Sequence, residues 1–232
     1  MVQATLANQG MGKSSLSARF MEDIKSKLKD KARIVCLFVF EKYPEHLVDS
    51  EDYFFSINQI PLPKGSETIF IYCPELDLIF PAREFKGQEN SSLNLQLNLF
   101  RQTKRKFFGE AKLSANVDIC YWRQANSLHF KYIDKAKLIY GERQNFLTPL
   151  LQMMLPKDRN DKCYVVSYIE GIFRTFRYEM PEWFTDDLSR SFRMNKSKLD
   201  MLASSLKDSG YDEKSVINII RTRFGSNYSF LA

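Results

Sequence analysis

The sequence offers little that would tie it to a membrane, a zinc site or an oxidising compartment. Among its 232 residues no apolar run reaches the roughly 18 residues of a membrane span. Its four cysteines, Cys36, Cys73, Cys120 and Cys163, are far apart and form no CxxC or CxxH spacing, which argues against zinc. Each lies in or beside an apolar run, as reduced, buried thiols do. The two histidines, His46 and His129, stand alone, so a nucleophile–histidine pair has no footing. The N-terminus runs directly into a strand-like stretch, which leaves no room for a signal peptide. A cytoplasmic protein is therefore expected.

What is present is ordinary globular composition, 44% hydrophobic and 27% charged, on a chain long enough for one α/β domain with a small appendage. The formal net charge of +6 permits a polyanionic partner without demanding one. The most informative stretch is Ala7–Asn8–Gln9–Gly10–Met11–Gly12–Lys13–Ser14–Ser15. Before it, Val2–Leu6 is short, apolar and strand-forming. After it, Leu16, Phe20, Ile24 and Leu28 recur at helical spacing. A glycine-containing loop between strand and helix is the setting of a phosphate-binding loop. Gly10 and Gly12 let the backbone approach a polyphosphate. The loop N–H groups and the helix N-terminus then face its charge. Lys13 can reach the β- and γ-phosphates, and the Ser14 hydroxyl can bind Mg²⁺. Asn8, Gln9, Gly10, Met11, Gly12, Lys13, Ser14 and Ser15 are thus the candidate nucleotide-binding residues. The plain alternative is a Gly-containing β–α turn.

Further along, Ile34–Phe40 reads as a strand buried on both faces, which suits a central parallel position. Thr68–Cys73 reads as the next strand and ends in Pro74–Glu75–Leu76–Asp77. Ligands of an open α/β sheet sit at the carboxyl ends of its strands. An acid there can polarise the attacking water or hold Mg²⁺. Glu75 is therefore the candidate catalytic carboxylate. Leu93 to Phe100 opens a helix whose far end is the basic run Arg101–Lys106, and Asp118–Trp122 reads as a strand ending in Arg123–Gln124. A polar side chain at that strand end, Gln124, would lie beside the γ-phosphate. Phe130–Tyr140 reads as a further strand, Phe146–Leu155 as a short helix, and Tyr164–Ile169 with Phe173–Tyr178 as a hairpin. Two amphipathic helices, Lys196–Lys207 and Glu213–Thr222, follow, with Asp212 as the N-cap of the second. They read either as a helix-turn-helix or as a helical hairpin packed on the domain.

The order of these features resembles the FtsK/HerA superfamily of DNA-pumping ATPases, nearest its Zot-like and viral packaging branch. The likeness runs from about Val2 to Tyr140, and only the P-loop is a specific motif. It implies an α/β, RecA-like P-loop NTPase core (residues 1–182), a mostly parallel sheet flanked by helices, and a small C-terminal helical appendage (190–226). It also implies ATP and Mg²⁺ as cofactors, double- or single-stranded DNA as partner, and a homo-oligomer, usually a ring of six. If the protein is viral, it would work in the host cytoplasm. By position, Glu75 matches the family's catalytic Glu and Gln124 its sensor Gln. Pro74 stands where the family has Asp. The metal then falls to Asp77, or to Ser14 with water, or hydrolysis is weak. Arg83, Arg101 and Arg105 are candidates for an arginine acting across subunits. The expected function is ATP-driven DNA translocation or packaging for a virus, phage or mobile element. Its rivals are a P-loop small-molecule kinase and a nucleotide-binding switch that hydrolyses little.

Overall fold

The computed structural model describes residues 2–6, 12–79, 97–100, 102–111, 117, 121, 125, 127–130, 153–154, 163–168, 173–185, 188, 196–208 and 211–224. In chain order these give β1 (Val2–Leu6), α1 (Lys13–Leu28), β2 (Ala32–Leu37), β3 (Tyr53–Phe54), β4 (Thr68–Cys73), α2 (Leu76–Ile79) and β5 (Arg105–Ala111). There follow β6 (Ser127–Phe130), β7 (Cys163–Tyr168), β8 (Phe173–Arg177), α3 (Lys196–Asp208) and α4 (Glu213–Phe224). Among the described residues the strands form one eight-stranded sheet in the order β3-β2-β4-β5-β1-β6-β7-β8. From β3 to β6 every pairing is parallel. The last two strands are antiparallel, as a hairpin on a sheet edge must be.

The alternation along β4 shows why the sheet is covered on both faces. Phe70 and Tyr72 join Ile34, Cys36 and Phe108 in one buried cluster with Met21 of α1. Ile69, Ile71 and Cys73 join Val35, Leu37 and Phe107 in a second cluster on the opposite face. Period-2 alternation with both faces apolar produces the continuous hydrophobic runs of the central strands. Leu16 and Met21 of α1 are fully buried, each contributing about 1.5–3 kcal/mol from removed apolar surface. On the other face Leu199, Leu202 and Leu206 of α3 and Val216 and Ile220 of α4 belong to the same cluster as the sheet residues. The turn between those helices is fixed by Asp212, whose Oδ1 accepts from the Ser215 N–H at 2.9 Å.

The edge strand β3 is short, and a charge pair holds it. Arg33 on β2 donates to both carboxylate oxygens of Asp52, at 2.6–2.9 Å, and Asp52 is itself buried. The neighbouring carboxylate raises the Arg33 pKa further.

Two expectations are corrected here. The basic run Arg101–Lys106 does not close a helix: residues 97–100 are helical, but Arg105 and Lys106 already belong to β5. In the sheet β5 lies between β1 and β4, the strand that leads to Glu75. Asp118–Trp122 is not a strand throughout, because Tyr121 is helical and its hydroxyl donates to the Gln3 carbonyl at 2.7 Å. The parallel strand beyond β1 is Ser127–Phe130, and the rest of the expected Phe130–Tyr140 strand lies outside the described residues.

Candidate nucleotide and metal site

β1 ends at Leu6 and α1 begins at Lys13, with Ser14 of α1 bonded to Glu110 near the carboxyl end of the parallel strand β5. Asn8, Gln9, Gly10 and Met11 lie outside the described residues. Gly12 immediately precedes α1 with φ 77° and ψ 30°, in the left-handed region. A side chain there would carry a steric cost that glycine avoids. This conformation turns the chain into α1, and the Gly12 carbonyl accepts from the Leu16 N–H at 3.2 Å. The Ser15 hydroxyl also donates to that carbonyl, at 2.9 Å, and shares a 3.1 Å hydrogen bond with the buried Tyr178 hydroxyl just after β8. The far edge of the sheet thus braces the start of α1. Trp183 continues the brace, donating its indole N–H to Glu22 at 2.7 Å. α1 has no acidic residue in its first turn, so its N-terminal dipole is left for an anion.

Ser14 has a partner that sequence reasoning missed. Its Oγ donates to Glu110 Oε2 at 3.0 Å. Glu110 is the second-last residue of β5, paired in register with Thr5 of β1, and only 1% exposed. Its other oxygen accepts from the Tyr72 hydroxyl at 2.7 Å. Burial pushes the Glu110 pKa up, while the Lys13 charge and hydrogen bonds from Tyr72, Ser17 and Ser14 act the other way. Burial also raises the Tyr72 pKa well above its ordinary value, so this phenol stays a donor. The sequence signal was an acid inside the apolar run Phe107–Ala111. The basic residues before it, Arg101–Lys106, suggest a helix end and so mask the strand.

Glu75 lies two residues beyond β4, after Pro74, and is half-buried at the carboxyl end of the sheet. Asp77 falls within α2, but its side chain lies outside the described residues, as do Gln124, Arg83 and Arg101. Arg105 is described. It opens β5 at the amino end of the sheet, opposite the P-loop. There its guanidinium lies 4.5 Å from the Phe100 ring centre and its Nε donates to Thr103 Oγ1 at 2.9 Å.

A hard cation of the Mg²⁺ kind prefers oxygen donors and takes one or two carboxylates beside phosphate oxygens. The Ser14 hydroxyl and the Glu110 carboxylate, 3.0 Å apart, are of that chemistry, so they fit the ion. When bound beside a nucleotide, it neutralises charge on the β- and γ-phosphate oxygens.

A mostly parallel sheet with a helix led in by Gly12, Lys13 and Ser14 at its carboxyl end is a P-loop NTPase fold of the RecA-like kind. Among solved structures, the genome packaging NTPase B204 from Sulfolobus turreted icosahedral virus 2, in complex with sulfate, aligns with a TM-score of 0.52 at 10% identity. The match covers 78% of this chain and 97% of that one. The DNA-packaging ATPase of Sulfolobus turreted icosahedral virus gives 0.51 at 10% identity over 78% and 98% of the two chains. The cytoplasmic domain of the type VII secretion ATPase EccC from Thermomonospora curvata gives 0.50 at 12% identity, over 78% of this chain and 24% of that one. No protein-family model matches the sequence, and neither does any curated protein. No helix among the described residues is long and apolar enough to cross a membrane.

Proposed function

We propose that the chain is the ATP-hydrolysing subunit of a motor that translocates or packages DNA for a virus, phage or mobile element. The observation that carries this is the placement of Gly12, Lys13 and Ser14. A left-handed glycine leads into a helix whose first residues are a lysine and a serine, at the carboxyl edge of a parallel sheet. Lys13 holds the β- and γ-phosphates, and Ser14 the cation. Glu75 orients the attacking water from the end of β4, and Gln124 senses the γ-phosphate. The packaging ATPase among the fold neighbours supports DNA as the polymer moved, and the net charge of +6 suits a polyanion. Copies assemble in a ring, six as the resemblance implies. A second reading, a nucleotide-binding switch with slow turnover, is favoured by Pro74 in the position of the family's Asp.

Steady-state ATP hydrolysis with and without double-stranded DNA tests this. The motor reading expects DNA to stimulate turnover, and Glu75→Gln to lower it by about 10² or more while ATP still binds. Turnover indifferent to DNA overturns the motor. Binding without turnover supports the switch, and a phosphorylated small molecule supports a kinase.

A further inference from the structure

We propose that Glu110 supplies the carboxylate of the Mg²⁺ site, replacing from β5 the acid that Pro74 removes from the end of β4. This rests on reading Gly12–Ser14 as the end of a phosphate loop. The sheet register makes the argument. The last pair between β4 and β5 is Cys73 with Gly109, so the next step along both strands is Pro74 and Glu110. The carboxylate missing from one strand therefore stands at the same height on the adjacent strand, one place nearer the P-loop. Glu110 also lies on the α1 side of the sheet. Phe108, two residues before it, packs with Met21 of α1. Its carboxylate reaches Ser14, the residue whose hydroxyl faces the cation in a P-loop.

The separation fits the ion. Oxygen ligands at about 2.0–2.1 Å and right angles around Mg²⁺ stand about 2.9 Å apart. Ser14 Oγ and Glu110 Oε2 are 3.0 Å apart. The carboxylate is preorganised, because Tyr72 anchors its other oxygen at 2.7 Å. A purely structural role needs no negative charge, since an amide could accept from Tyr72 and donate to the Ser14 oxygen. A nearly fully buried carboxylate is costly unless a positive charge offsets it, and both Lys13 and a bound cation would do so.

The test reads metal binding rather than turnover. A fluorescent ATP analogue is titrated in EDTA, and Mn²⁺ is then titrated into the analogue complex and followed by the EPR signal of the free ion. Glu110→Gln keeps the side chain's shape and can still accept from Tyr72 through its one oxygen, while its NH2 donates to the Ser14 oxygen. The proposal expects analogue affinity in EDTA within about twofold of wild type, and Mn²⁺ affinity lowered about tenfold or more. Glu110→Asp, which withdraws the carboxylate from Ser14 by one carbon, carries the same Mn²⁺ expectation should the amide variant fail to fold. Unchanged Mn²⁺ affinity in either folded variant overturns the proposal. Loss of Mn²⁺ affinity in Asp77→Asn alone assigns the metal to Asp77 and overturns it too. If the wild type fails to bind the analogue, or Lys13→Ala binds it equally well, the phosphate-loop reading fails first, and that result appears before any Mn²⁺ is added.

Discussion

Gly109 lies directly against Leu76: a β-carbon on Gly109 would stand 2.6 Å from Leu76 Cγ and 3.1 Å from the Cys73 carbonyl oxygen. Leu76 is fully buried and opens α2 immediately after Glu75. The absence of a side chain at Gly109 is thus what allows the turn carrying Glu75 to fold over β5. Gly109→Ala should push Leu76 outward, at a stability cost of about 1–3 kcal/mol from overpacking. It should also lower kcat by about tenfold or more, because small displacements of a water-orienting group are costly. ATP affinity, set across β5 at Lys13, should hardly change. Adding Leu76→Ala to Gly109→Ala should restore part of kcat, and kcat measured beside ATP affinity in both variants checks this.

The C-terminal helices are bound into the same core as the sheet. Leu202 is 1% exposed and shares a cluster with Ile71 and Phe107. Leu202→Ala should cost about 2–5 kcal/mol in urea unfolding, and a chain ending near Met194 should lose stability for the same reason. A role in DNA contact would fall on exposed cations such as Lys214, where substitution should weaken salt-sensitive DNA binding and leave the unfolding midpoint unchanged.

A dependence on pH follows from Asp212. Hydrogen bonds from the Ser215 N–H and hydroxyl hold its carboxyl below its ordinary value of 3.8. A carboxyl with a depressed folded pKa contributes stability above its unfolded value and loses it as pH falls through the folded one. Wild type should therefore be more stable than Asp212→Ala at neutral pH, and the gap should close in acid below 3.8. Thermal unfolding of the two proteins across pH 7 to about pH 3 measures the gap.

Elements with a local signature were legible in the sequence. Thr68–Cys73 is a strand with the expected bounds, α1 is a helix whose buried face runs through Leu16, Ala18 and Met21 while Leu28 is exposed, α3 and α4 follow their apolar stripe, and β7 and β8 pair as the expected hairpin. β5 was not legible. Lys106, Gly109 and Glu110 break its apolar period, and only partners distant in sequence explain them: the Phe70 ring near Lys106, Leu76 against Gly109, and Tyr72 with Ser14 on Glu110. The same gap hid the site. A buried acid inside a strand carries no meaning until the helix packed on the sheet shows a serine within hydrogen-bonding reach. Arg105 illustrates the reverse error, since a cation placed in a basic helix end proves to open a strand at the far end of the sheet.

The most direct test is ATP turnover by wild type and Lys13→Ala, each with and without double-stranded DNA, with circular dichroism confirming that both are folded. The account predicts that wild type hydrolyses ATP and does so faster on DNA. Lys13→Ala should show turnover reduced to background under both conditions, because its β- and γ-phosphate contact is gone. Equal turnover by the two folded proteins would contradict it.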